Sequence, residues 1–183
     1  MKVKVLHQTD LFHYHCDPDD HWDLACQFAL SYNEDIELVG VLIDYPRNAD
    51  YGDPSIQAVN QLNYITCQSV PVGVGISTAI HSEKDYDKFK ITDPEFAGVK
   101  MILKILKEAD EPVIIHIVGS CRDIAIAGKI EPDLFKEKCK AIYLNAGSSR
   151  EKLKLEYNVS LDPYSYRAIF EMPCTIYLSL IHI

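Results

Sequence analysis

Val3-Lys4-Val5-Leu6-His7-Gln8-Thr9-Asp10, followed after a short gap by Asp17-Pro18-Asp19-Asp20, is the stretch that decides the fold. The first seven residues are apolar-rich and read as a strand. The second group stands just before a segment with helical spacing, in which Trp22, Leu24, Ala25, Phe28 and Ala29 form an expected apolar stripe from Trp22 to Ser31. Strand, acidic loop, helix is therefore the opening unit. Four carboxylates fall between positions 10 and 20. Capping the free N–H groups of a helix start accounts for one or two of them. A hard cation accounts for all four, since Ca²⁺ takes about six to eight oxygen ligands.

The same alternation runs outward along the chain. Strands are expected at 37–45, 70–75, 112–119, 141–147 and 174–183, and helices at 55–67, 95–109, 123–128 and 163–170. Alternation of this kind predicts an α/β fold, Rossmann-like, with a mostly parallel sheet and helices on both faces. Ligands of such sheets sit at the carboxyl ends of the strands. Asp10, Asp44, Gly119-Ser120 and Asn145-Ala146-Gly147 all fall there, so they are expected on one rim. The polar segment 77–93 reads as a plain surface loop, with a mobile loop or lid as the competing reading.

Composition narrows the class. The 183 residues suit one domain, and 48% apolar with 25% charged residues is ordinary for a globular protein. A net charge of −9 argues against a nucleic-acid partner. No apolar run is long enough for a bilayer span, and residues 1–10 lack a signal-peptide core, so the expected address is the cytoplasm. The six cysteines include no CxxC pair, which disfavours a zinc cluster or disulfide framework. Cys26 and Cys174 lie in apolar patterns and read as core. A zinc site of His13, His15 and His21 is disfavoured among so many hard oxygen donors.

Four landmarks in order resemble the inosine-uridine nucleoside N-ribohydrolase family. Asp17-Pro18-Asp19-Asp20 is similar to its DxDPxxDD loop, and Glu37-Leu38-Val39-Gly40-Val41 to its second strand. Val118-Gly119-Ser120-Cys121-Arg122-Asp123 is similar to its GPLTN turn. Glu156-Tyr157-Asn158-Val159 with Asp162-Pro163 is similar to its EFNxxxDP segment. The departures are an insertion at Phe12–Cys16, a missing Gly after the Pro, and Asn145-Ala146 where the family has Gly-Gly.

The resemblance implies a Ca²⁺-dependent hydrolase of the N-glycosidic bond of ribonucleosides or a related glycoside. Asp10, Asp17, Asp20 and the backbone carbonyl of Arg122 are then the metal-ligand candidates. Asp19 is the candidate general base, although Asp19 and Asp20 can exchange roles. Asp53, Asn145, Glu156 and Asn158 are the candidates for the sugar. For Asn158 a plain turn role is the competing reading, and Asp162 reads as a helix cap before Pro163. The family also has a later half, with another metal-binding Asp and a His near the leaving base. The ending Ser179-Leu180-Ile181-His182-Ile183 resembles translated adapter sequence. One domain over 1–183, incomplete at its C-terminus and impaired or self-associating by itself, is the expectation, with a homo-oligomer for the complete protein. A non-catalytic sugar- or metal-binding protein is the alternative. An aspartyl phosphotransferase would want DxDx[TV] at Asp10, and a dinucleotide site at Gly73-x-Gly75 lacks its third Gly and helix.

Overall fold

The computed structural model describes residues 2–13, 18–45, 54–88, 93–149 and 154–181. Six strands form one sheet: β1 (Val3–Thr9), β2 (Ile36–Ile43), β3 (Val72–Val74), β4 (Val113–Ile117), β5 (Cys139–Asn145) and β6 (Thr175–Ser179). All described pairings are parallel and the order is β3-β2-β1-β4-β5-β6. This is the doubly wound arrangement expected from the alternation, in which the chain reverses its winding between β1 and β4. Among the described residues seven α-helices accompany it: α1 (Pro18–Tyr32), α2 (Ser55–Thr66), α3 (Ala97–Glu108), α4 (Arg122–Ile130), α5 (Pro132–Lys138), α6 (Tyr157–Leu161) and α7 (Pro163–Ile169).

The side-chain period of two divides the sheet into two faces. Leu6, Leu42, Ile115, Ile117, Ile142 and Leu144 join the larger core, together with Val99, Ile102, Leu103 and Leu106 of α3 and residues of α4, α5 and α7. Within the expected 95–109 helix, Val99, Ile102, Leu103 and Leu106 recur at helical spacing and all are buried, each large side chain contributing roughly 1.5–3 kcal/mol. Val41 and Ile43 face the other way and meet Leu24, Phe28 and Val59 of α1 and α2 in a smaller core. Further along this second face Tyr143 and Tyr177 stack at 4.7 Å and stay 43% and 53% exposed.

Several expectations are corrected. Helix α1 begins at Pro18 rather than Trp22, because Pro is pre-set for the first helical turn and Asp19 and Asp20 suit its dipole. Its stripe is narrower than expected: only Leu24 and Phe28 are buried, and Trp22 is 75% exposed. Cys26 and Cys174 are half-buried rather than core. Within 77–93, Ile80 is buried in the larger core and residues Glu83–Lys88 form a 3-10 helix. Helices α5 and α6 lie outside the expected elements. Among the described residues no helix is long and apolar enough to cross a membrane.

Candidate active site

The winding reversal leaves a crevice beyond the carboxyl ends of β1 and β4, and functional side chains gather there. Asp10 directly follows β1, while Val118 and Gly119 follow β4. Gln8 joins the two strand ends: its Oε1 accepts from Gly119 N at 3.1 Å and its Nε2 donates to Asp44 beyond β2. Asp44 also accepts from Ser120 N (2.7 Å) and Ser120 Oγ (3.0 Å). A methyl group on Gly119 would stand 2.8 Å from Asp10 N and 2.9 Å from both Asp44 Oδ2 and Gln8 Nε2. Only glycine lets these three strand ends approach so closely. The expected convergence of Asp10, Asp44 and Gly119-Ser120 is therefore present.

A cavity of about 650 Å³ opens from this junction. Asp10, Asp19 and Asp20 all line it, with Asn145, Glu156 and Asn158 also on its walls. Asp10 is only 4% exposed, and burial, then Asp44, then Asp20 push its carboxyl up to about 9; Asp20 also hydrogen-bonds it. Burial likewise raises Asp44, against the pull of Ser120 N–H and Arg122. The junction thus sets buried carboxylates against one another, a group of hard oxygen donors of the kind a cation takes. Asp19 is exposed in the first turn of α1. Asp17 and Asp53 lie outside the described residues.

Glu156 caps α6, accepting from Asn158 N (2.8 Å) and Val159 N (3.2 Å), and also accepts from Gly147 N at 2.8 Å. It thereby ties α6 to the end of β5. Asn158 is buried, and its Nδ2 donates to Val118 O (2.7 Å) and Asn145 O (3.0 Å), bridging β4 and β5. It occupies the first turn of α6 rather than an isolated turn.

Arg122 lines a second cavity of about 330 Å³, with His13, Asp44, Tyr45 and Ser120, and does not line the larger one. Its guanidinium donates to Asp162 Oδ2 (3.0 Å), Ile76 O (2.6 Å) and Leu161 O (3.2 Å). Asp162 caps α7 through Ser165 N at 3.0 Å, as its place before Pro163 implied, and accepts from Ile80 N at 2.8 Å. Among the histidines flanking the acidic loop, His21 packs edge-on to Phe12 at 4.3 Å.

Sequence reasoning missed a second polar group on the cavity wall. Asp23 and His116 line the cavity, and His7 lies beside them. Burial lowers His7 to about 3 and lowers His116 as well, although Asp23 pulls the latter upward. Burial raises Asp23. The available signal was a histidine inside each of two apolar strand runs, which by itself reads as core.

Comparison with known proteins follows the same lines. The family model described as inosine-uridine preferring nucleoside hydrolase matches residues 13–182. The chain is similar to the pyrimidine-specific ribonucleoside hydrolase RihA of Citrobacter koseri, at 23% identity over 86% of this chain and 55% of that protein. RihA of Enterobacter sp. (strain 638) matches at 23% over 52% of this chain and 33% of its own length. The chain therefore spans about half the length, or less, of these curated relatives. Among solved structures, an inosine-uridine preferring nucleoside hydrolase from Bacillus anthracis superposes with a TM-score of 0.69 at 17% identity, covering 99% of this chain and 65% of that one. The type III effector XopQ, solved with adenosine diphosphate ribose, gives 0.68 at 16%, covering 97% and 58%. At these identities the likeness is one of fold.

Proposed function

The chain belongs to the inosine-uridine preferring nucleoside hydrolase family, and from that premise we propose that it carries the cation- and sugar-binding part of an enzyme that hydrolyses the N-glycosidic bond of ribonucleosides. One observation carries the reading: Asp10, Asp19 and Asp20 meet Asn145, Glu156 and Asn158 around a single cavity of about 650 Å³. That volume suits a small ligand of nucleoside size.

Two oxygen donors of the cavity, Asp10 and Asp20, suit Ca²⁺. They would hold it together with the ligands that the family resemblance adds, Asp17 and the carbonyl of Arg122, and the buried Asp10 carboxyl set among like charges favours a cation there. When bound, the ion supplies positive charge that grips vicinal hydroxyls and acidifies water. The protein's own groups do the rest. Asp19, exposed at the mouth of α1, takes the proton of the attacking water as general base. Asn158 spends its amide nitrogen on the scaffold and leaves Oδ1 for a ribose hydroxyl, while Glu156 and Asn145 complete that wall. N-glycoside cleavage passes through an oxocarbenium-like state, and a wall of oxygen acceptors stabilises that charge.

A second reading is a sugar- and metal-binding protein without turnover. It is favoured by the commitment of the Glu156 carboxylate and the Asn158 amide to backbone bonds. The experiment separates the two. Release of ribose from uridine and inosine is followed with the full-length protein, with and without a chelator, for the native sequence, Asp19→Asn and Asp20→Asn. The hydrolase reading expects chelator-sensitive turnover, a loss of about 100-fold or more in Asp19→Asn, and weakened Ca²⁺ binding in Asp20→Asn. Ca²⁺ binding without ribose release supports the second reading. Turnover indifferent to the chelator and to both substitutions refutes the mechanism.

A further inference from the structure

We propose that His7, Asp23 and His116 form a second divalent-cation site, one that takes a transition ion of the Zn²⁺ type and is distinct from the carboxylate cluster around Asp10. The topology creates it. His7 on β1 is the register partner of His116 on β4, so the two imidazoles leave the sheet side by side on one face. Their ring centroids are 5.2 Å apart and their Nδ1 atoms 3.2 Å apart. Helix α1 passes over this pair and presents Asp23, whose Oδ2 is 3.7 Å from His7 Nε2 and 3.6 Å from His116 Nδ1. One ligand atom from each residue can be chosen so that all lie within 4.8 Å of one another.

The two imidazoles are within hydrogen-bond reach of each other through their Nδ1 atoms, but the Asp23 distances are poor for hydrogen bonds and good for shared coordination. A contact of 3.6–3.7 Å is too long for a hydrogen bond. Two ligands bonded to one ion at about 2.0–2.1 Å with tetrahedral angles stand roughly 3.3 Å apart. The histidine is 0% exposed, yet its Nε2 has no hydrogen-bond partner, and neither does the buried Oδ2 of Asp23. A buried polar atom normally finds a partner, so two facing each other with none call for something between them.

The ligand chemistry names the ion class. Two imidazoles with one carboxylate suit Zn²⁺ and its neighbours, whereas Ca²⁺ prefers oxygen throughout. Both rings are held neutral by burial, the state in which a ring nitrogen keeps its lone pair. Gln27, one turn beyond Asp23, has its Nε2 3.1 Å from His116 Nδ1 and 3.5 Å from Asp23 Oδ1. Its contact with Asp23 Oδ1 places it to orient the carboxylate as an outer partner, while its amide would yield His116 Nδ1 to the ion. Asp23 and His116 line the cavity that Asn145, Glu156 and Asn158 also line, so an ion held here would border the same space.

The test uses the full chain stripped of metal with a chelator. Zn²⁺ affinity is measured by competition with a chromophoric chelator, and Co²⁺ is added as a spectroscopic stand-in. The expected result is one ion per chain, with a Co²⁺ spectrum of nitrogen and oxygen ligation. His116→Ala and Asp23→Ala should each weaken Zn²⁺ by about 100-fold or more, since loss of an outer partner alone costs about 10–100-fold. Gln27→Leu should give that smaller loss. Buried His7→Ala risks misfolding, so the half-buried His116 carries the test, with near-ultraviolet circular dichroism to verify its fold. Asp20→Asn should leave Zn²⁺ affinity intact while weakening Ca²⁺, and this reversal separates the two sites. No stoichiometric Zn²⁺ binding, affinity unchanged in His116→Ala and Asp23→Ala, or a thiolate band in the Co²⁺ spectrum would each overturn the proposal and leave the Asp10 site as it was.

Discussion

Replacing Gly119 with alanine tests the convergence of the three strand ends directly. The added methyl meets Asp10 N at 2.8 Å and Asp44 Oδ2 and Gln8 Nε2 at 2.9 Å. Each neighbour would have to retreat by about 0.5 Å to reach ordinary contact. Asp10 N belongs to the backbone, and Asp44 is fixed by Ser120 N, Ser120 Oγ and Gln8, so none gives way freely. Overpacking costs about 1–3 kcal/mol, and weakening one hydrogen bond to a buried carboxylate adds about 1–2 kcal/mol. The narrower unfolded ensemble of alanine returns about 0.4–1 kcal/mol. The net expectation is a loss of about 2–3 kcal/mol. Gly73→Ala is the control. Its methyl meets Met101 Sδ and Cε at 3.0 Å, the far end of a flexible side chain, so it should fall within about 1 kcal/mol of the native chain. Urea unfolding of the three proteins, compared at equal m-value, measures both. Equal effects of Gly119→Ala and Gly73→Ala would refute the reasoning, because the argument rests on which neighbours can move.

Three further outcomes follow from the same geometry. With metal chelated, Asp10 favours the folded state most strongly below its ordinary 3.8 and loses that contribution as pH rises towards about 9, because the folded chain keeps a proton that the unfolded chain releases; urea midpoints from pH 4 to 8 should therefore fall less steeply in Asp10→Asn than in the native sequence. Glu156→Ala removes the α6 cap and the Gly147 acceptor, and thermal unfolding should show a loss of about 1–3 kcal/mol, with Glu156→Gln recovering part of it. Arg122→Lys cannot reproduce three directed bonds to Asp162, Ile76 O and Leu161 O, and a loss of about 2–4 kcal/mol is expected in the same assay.

Much of the frame was legible in the residues. The β-branched runs at 3–9, 37–45 and 112–119 locate β1, β2 and β4, and the α3 stripe is buried as its spacing requires. Asp10, Asp44 and the Gly119 turn were rightly placed on one rim, because strand ends in a parallel sheet share an edge. What failed had local causes. The segment Pro132–Lys138 offers little apolar periodicity beyond Leu134 and Phe135, and α5 is held by Phe135 entering the larger core. Trp22 fits a helical stripe on paper, yet α1 meets the sheet through a narrower seam. The pairing of His7 with His116 depends on the β1–β4 register, joining residues 109 positions apart, and no local pattern displays it. Arg122 was read for its carbonyl, while its side chain proves to be the organising group of the loops around it.

That last feature has a mechanical consequence. One planar cation binds the segment after β3, the end of α6 and the cap of α7 together, and Asp162 also accepts from Ile80 N. Ile76–Ile80, Arg122 and Leu161–Asp162, segments distant from one another in sequence, therefore open as one unit rather than fraying separately. In native-state hydrogen exchange the amides of Ile76, Ile80 and Ser165 should share one opening free energy, and Arg122→Lys should lower all three by the same amount.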